Sequence, residues 1–312
     1  MKLDLRAALA ALLVALLAGV AGACGSDDGE EASAPDPARA GADAPIRIGT
    51  KNFTEQYILG ELYRQALEAK GFRVQLKSDI GSSEIVHEAL TGGGLDMYPE
   101  YVGVLLSEIA DQTMRPRGAR AAYRKAKEFE EQRGFTLLAM TPFSDSNALA
   151  VTPRMARRHG LNSIADLAGL PGEATIGAPP EFRTRYEGLI GLRELYRLDG
   201  VAVQALQIGS QYDALDSGQV DAAAVFTTDG NLAGRDYAVL DDPRGVFAEQ
   251  HVAPVISREV LATHGPELQA AIDAVSRRLT TRAMRSMNAA VDLEGERPAA
   301  VAERFLREQK LV

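Results

Sequence analysis

A single cysteine, Cys24, stands in a chain of 312 residues, so no intramolecular disulfide can brace the fold. The four histidines are far apart in sequence and show no ligand spacing, which argues against a metal site. No run of lysines or arginines is dense enough to neutralise a stretch of phosphates, and the formal charge is -9; nucleic acid is not an expected partner. A nucleophile elbow, a Walker loop and a dinucleotide fingerprint are all missing. The chain is therefore not expected to be an enzyme, and no cofactor is implied. The longest apolar run, Ala7–Ala23, is too short for a comfortable membrane span.

What is present is a chain that is 46% hydrophobic and 25% charged, enough to bury a sizeable core in one large domain or two lobes. Lys2 and Arg6 precede the apolar run, which ends in Ala21-Gly22-Ala23 before Cys24, the pattern of an export signal over residues 1–23. The segment resembles a bacterial lipoprotein signal, in which Cys24 would carry the lipid and become the first mature residue; Ala21 replaces the leucine usual three positions earlier. Simple cleavage near Ala23 with a free Cys24 is the alternative. Residues 24–45 hold mainly Asp, Glu, Ala, Pro, Ser and Gly and read as a disordered tether.

From Ile46 onward, strand and helix patterns alternate. Ile46–Gly49 alternates as a strand, Thr54 is a plausible cap for a helix through Leu59, Leu62, Ala66 and Leu67, and Phe72–Lys77 is a second strand. A helix carrying Ile85, Val86, Ala89 and Leu90 ends at Gly92–Gly94 and feeds a third strand. This order implies a parallel sheet with ligands at its carboxyl edge. Phe135–Met140, Ala174–Gly177, Val203–Gln207, Ala222–Phe226 and Val239–Leu240 read as further strands, with helices at Ala119–Gln132, Tyr186–Tyr196 and Ser210–Ser217. Two long helices, Gly265–Met287 and Arg297–Gln309, finish the chain. The second α/β set sits inside the first. Residues 46–146 are expected to form the first part of lobe 1, 147–251 lobe 2, and 252–312 the return to lobe 1. Crossing segments fall near Asn147–Val151 and His251–Ile256, with the ligand cleft between the lobes. Gly94-Leu95-Asp96 and Gly218-Gln219-Val220-Asp221 repeat one local pattern, a glycine turn followed by an aspartate-led strand.

Asp96–Gly103, reading Asp-Met-Tyr-Pro-Glu-Tyr-Val-Gly, moves abruptly from apolar residues to two tyrosines, a proline and a carboxylate, as suits a buried strand ending at a ligand-facing turn. Lys51–Gln56, Val86–Leu90, Ala148–Val151, Pro180–Phe182, Thr227–Gly230 and Ala253–Val255 accompany it in fixed order. Together they resemble the substrate-binding proteins of osmoprotectant ABC importers, the glycine betaine/carnitine/choline family, over essentially Ile46–Val312. The resemblance implies a type II periplasmic-binding fold that closes on its ligand, a permease with ATPase subunits as partners, and no catalysis.

In that family aromatic rings surround a quaternary ammonium, because ring faces attract a cation that cannot donate hydrogen bonds. A lysine and an arginine hold the ligand carboxylate. By resemblance Lys51 and Arg185 match the carboxylate clamp, with Arg183 as an alternative; Tyr101 matches a cage wall and Asp145 an acidic contact beside it. Phe226 keeps the ring of a usual tyrosine. Asn147 and Gln250 replace two cage tyrosines, and Val104 replaces a threonine. The two amides suit a ligand with hydrogen-bonding groups, such as a more polar carboxylate-bearing zwitterion, while Tyr98, Tyr186 or Tyr212 are candidates to rebuild the cage. The backbone amides of Thr227–Gly230 are possible secondary contacts. Binding without transport, as in a ligand sensor, is the further alternative.

Overall fold

A computed structural model describes residues 44–110 and 118–312. The expected export segment, Cys24 and nearly all of the tether lie outside the described residues. The strands are β1 (Ile46–Gly49), β2 (Val74–Lys77), β3 (Met97–Tyr101), β4 (Phe135–Leu137), β5 (Asn147–Val151), β6 (Ala174–Ala178), β7 (Val201–Ala205), β8 (Ala222–Phe226), β9 (Ala238–Val239) and β10 (Val252–Ser257). Among the described residues the α-helices of five residues or more are α1 (Thr54–Glu68), α2 (Ser83–Thr91), α3 (Ala119–Glu131), α4 (Pro153–His159), α5 (Gly191–Tyr196), α6 (Ser210–Asp216), α7 (Gly230–Gly234), α8 (Arg258–His264), α9 (Pro266–Ser276), α10 (Thr281–Asp292) and α11 (Pro298–Glu308). Short 3-10 and π turns supplement them.

These strands make two sheets with one plan. The first runs β2-β1-β3-β10-β4 and the second β7-β6-β8-β5-β9. In each, three parallel strands are joined by an antiparallel strand: β10 beside β3, and β5 beside β8. The repeated glycine-then-aspartate pattern has a shared physical purpose. Asp96 accepts a bond from the Arg47 backbone N–H at 2.8 Å, and Asp221 accepts one from the Thr175 N–H at 2.9 Å. Each carboxylate thus pins the start of its strand to the parallel neighbour.

Apolar residues at helical spacing in α1, including Ile58, Leu59, Leu62 and Leu67, pack with Leu268, Ile272, Met284, Val301 and Phe305 from the C-terminal helices. The second sheet has its own core around Leu149, Ile164, Ile176, Leu192 and Val246. The chain passes between the sheets twice, and the two passages touch. Ser144 and His251 form an isolated antiparallel bridge, and the Asp145 N–H donates to the Gln250 carbonyl at 2.9 Å.

Several local readings need correction. Phe53, not Thr54, occupies the cap position of α1; the Thr54 hydroxyl instead donates to Asp292 at 2.6 Å. The long helix expected over Gly265–Met287 is broken between α9 and α10, where the Thr280 hydroxyl caps a fresh start by accepting the Ala283 N–H at 3.2 Å. The helix expected over Tyr186–Tyr196 opens as a π turn with non-helical backbone at Glu187 and Gly188. The strand expected at Val239–Leu240 falls at Ala238–Val239, and that expected over Phe135–Met140 ends at Leu137.

Candidate functional site

A cleft opens between the two sheets, and all seven residues singled out by sequence line it: Lys51, Tyr101, Asp145, Asn147, Arg185, Phe226 and Gln250. The topology explains the convergence. Lys51 follows β1 and Tyr101 ends β3, so both stand at the carboxyl edge of the first sheet, while Phe226 ends β8 in the second. Asn147 starts β5 directly opposite Phe226 in the strand register. Asp145 and Gln250 sit on the two passages between the sheets.

Aromatic faces dominate one side. Phe53 stacks between Tyr101, at 6.2 Å between centroids, and Phe226, at 5.5 Å, with interplanar angles of 22° and 17°. Phe53 belongs to the Lys51–Gln56 motif, and its one signal in the sequence is an aromatic residue in the loop at a sheet's carboxyl edge. Tyr98, Tyr186 and Tyr212 do not line the cleft. Tyr98 is buried beside His87, and the Tyr212 hydroxyl donates to Asp229. The aromatic residues lining the cleft are Phe53, Tyr101, Phe182 and Phe226, and the first, second and fourth of these are linked by ring stacking.

The cations are already engaged by protein groups. Lys51 is buried, and its Nζ donates to Glu100 Oε1 at 2.6 Å and to Ser83 Oγ at 3.1 Å while lying 4.1 Å from the Tyr101 ring centroid. Burial pushes the Lys51 ammonium pKa down, and the Glu100 carboxylate opposes that push. Arg185 Nη2 reaches both oxygens of Glu84, at 2.9 and 3.1 Å. The alternative, Arg183, donates to the Val203 carbonyl instead.

Asp145 is buried and accepts the Thr228 N–H at 3.1 Å. Burial, reinforced by the Glu55 charge, holds its carboxyl well above the usual carboxylate range. The two amides that replace cage tyrosines share one partner. Asn147 Nδ2 and Gln250 Nε2 donate to Glu187 Oε2 at 3.3 and 2.8 Å, and Gln250 Oε1 accepts the Val104 N–H at 3.1 Å. These bonds hold the amides against the protein rather than leaving all of their donors for a ligand. Glu187, itself lining the cleft, had no distinguishing signal, because in sequence it occupies a polar slot of an expected amphipathic helix. The expected contacts from the Thr227–Gly230 amides are corrected for three members: the Thr227 N–H goes to the Ser146 carbonyl, the Thr228 N–H to Asp145, and the Asp229 N–H to the Phe226 carbonyl.

The arrangement offers ring faces and carboxylates to a cation, and one ammonium and one guanidinium to an anion. Among known proteins, the family described as the substrate binding domain of ABC-type glycine betaine transport systems matches residues 44–308. The glycine-betaine-binding protein of Pseudomonas aeruginosa is 34% identical over 278 residues, covering 86% of this chain and 88% of that protein. The ergothioneine transport permease/ergothioneine binding protein EgtU of Helicobacter pylori is 26% identical over 272 residues, covering 86% of this chain and 48% of that longer protein. A solved structure described as a glycine betaine/carnitine/choline ABC transporter superposes with a TM-score of 0.69 at 27% identity, covering 85% of this chain and 99% of the other. The two-sheet architecture is that of the two-lobed type II periplasmic-binding fold, and the chain belongs to the family of substrate-binding domains of ABC-type glycine betaine transport systems.

Proposed function

We propose that this chain captures a quaternary-ammonium osmoprotectant of the glycine betaine, choline or carnitine type outside the cytoplasm and hands it to an ABC permease driven by ATPase subunits. The observation that carries the reading is the Phe53–Tyr101–Phe226 ring column beside Asp145, in a cleft where an ammonium, that of Lys51, already rests on a ring face. Ring faces favour a cation whose methyl groups leave it no hydrogen bonds to donate. Lys51 and Arg185 donate to the ligand carboxylate while each keeps its bond to its own partner, Glu100 or Glu84. Lobe closure follows from tighter contact with ligand in the closed state.

A second reading, a more polar carboxylate-bearing zwitterion, is favoured by one feature: Glu187, Asn147 and Gln250 form a hydrogen-bonding wall where two rings are expected. The similarity to an ergothioneine binding protein supports this class. The lipid on Cys24 belongs to the same proposal, anchoring the body to the outer face of the membrane; mass spectrometry of the membrane fraction tests it, and an unmodified Cys24 rejects it.

Calorimetric titration of residues 25–312 with glycine betaine, choline, carnitine and proline betaine tests the ligand class. Tight binding of any of these supports the first reading. Silence from all four, with heat from a polar zwitterion such as ergothioneine, supports the second. A scattering profile unchanged at saturating ligand argues against closure.

A further inference from the structure

The Thr227–Gly230 turn and the buried Glu55 have no part in ligand contact as described above, yet they meet at the seam between the lobes. Glu55 lies in α1, and its two oxygens are divided between the two sides of the cleft. Oε1 accepts the Tyr101 hydroxyl at 2.7 Å. Oε2 accepts the Thr228 hydroxyl at 2.6 Å and Asn288 Nδ2 at 3.0 Å. Asn288, on α10, also donates to the Thr228 carbonyl at 2.9 Å, so Thr228 is gripped from the first lobe at two atoms.

Glu55, Tyr101, Thr228 and Asn288 are all buried. The turn is keyed against α10 as well. A side chain at Gly230 would place its Cβ 2.5 Å from the Ala289 Cα, and Arg285 Nε donates to the Thr227 carbonyl at 2.7 Å. Thr228 lies two residues beyond Phe226. One carboxylate therefore holds a ring of the first lobe directly and the anchor of a ring of the second lobe through one hydroxyl.

We propose that Glu55 is a positioning residue that sets the spacing of Tyr101 against Phe226, so that ring placement and lobe closure are one event. The inference rests on the proposed capture of a ligand in this cleft. Its physical basis is that a buried carboxylate with both oxygens committed gives up well-placed, charge-assisted hydrogen bonds if either partner moves. Nothing about the ligand's own contacts requires Thr228.

Two nearly isosteric changes test the idea, Tyr101→Phe and Thr228→Val, alone and combined, with glycine betaine as probe and choline and carnitine beside it. Each single change is expected to raise Kd about five- to tenfold, mainly through a faster off-rate. Because both act through Glu55, the double variant is expected to lose little more than the weaker-binding single variant, a non-additive result. Thr228→Ser, which restores the hydroxyl, is expected to recover binding.

The inference is overturned if each single variant binds within twofold of wild type, if the two losses multiply independently, or if Thr228→Ser binds as weakly as Thr228→Val. If wild type binds none of the three probes, the osmoprotectant reading fails first and this inference fails with it; that outcome is distinct because it appears before any variant is compared.

Discussion

Replacing Phe53 by leucine removes the middle ring of the column while keeping an apolar side chain of similar bulk. Its stacks on Tyr101 and Phe226, at 6.2 and 5.5 Å between centroids, are each worth about 0.5–1.5 kcal/mol beyond burial. A desolvated ring face contributes about 1–2 kcal/mol to a bound cation. Part of the stacking loss is common to free and bound protein and cancels, so the net effect on binding is about 2–3 kcal/mol, or roughly 30- to 150-fold in Kd. Calorimetry with the quaternary ammonium that wild type holds most tightly measures this, and Phe53→Tyr, which keeps the ring, is expected to stay within about fivefold. Thermal midpoints separate lost binding from lost folding. A Phe53→Leu variant that folds normally and binds within threefold of wild type would refute the claim that this ring faces the ligand cation.

Gly103 gives a stability prediction: an alanine Cβ there would lie 2.5 Å from Gln250 Oε1 and 2.6 Å from Nε2. Displacing that buried amide takes the Gln250 acceptor from the Val104 N–H and one donor from Glu187, so Gly103→Ala is expected to cost about 2–4 kcal/mol in urea denaturation; the same change made in Gln250→Ala should be nearly free, and an undiminished penalty there would reject the mechanism. Lys51→Met leaves Glu100 buried without its cation and is expected to destabilise by about 3–5 kcal/mol, with most of the loss recovered in Lys51→Met/Glu100→Leu; a double variant no more stable than Lys51→Met contradicts this. Asp229 and Glu130 are each pushed up to about 7, chiefly by burial. Both therefore favour the folded state fully below their unfolded pKa near about 4, and that contribution is lost as pH rises through about 7. The thermal midpoint of wild type is expected to fall more steeply between about pH 5 and 8 than that of Asp229→Asn/Glu130→Gln, and equal slopes would show that these carboxyls are not held neutral.

The alternation at Ile46–Gly49 and the helical spacing from Ile58 to Leu67 were legible because burial selects those periods directly. The nested order of the two α/β sets was legible for the same reason, since each sheet is built from short strands separated by amphipathic helices. The break between α9 and α10 was not, because neither glycine nor proline marks it; Thr280, an ordinary residue in sequence, caps the new helix once the chain turns. Site residues divide in a similar way. Lys51 and Tyr101 stand at strand ends where a ligand-facing edge is expected, whereas Asp145, on a passage between the sheets, and Arg185, one arginine among several, stand out only through the family resemblance. Asn147 and Gln250 looked like ligand donors because their common acceptor, Glu187, lies 40 and 63 residues away in the chain, a pairing that no local pattern reveals. Phe53 was hidden by its neighbours, since the charged and polar residues around it drew the chemical reading.

β10 lies between β3 and β4 in the first sheet, although nearly the whole of the second sheet is made before it. During synthesis the second lobe can therefore complete its core while β3 still waits, with one hydrogen-bonding edge unpaired, for a strand that arrives late. The apolar face of α1 waits longer still, for helices that end the chain. The first lobe therefore completes its sheet and its core only on a strand and helices made after the second lobe. The same order of assembly makes loss of the C-terminal helices a lesion of the N-terminal lobe.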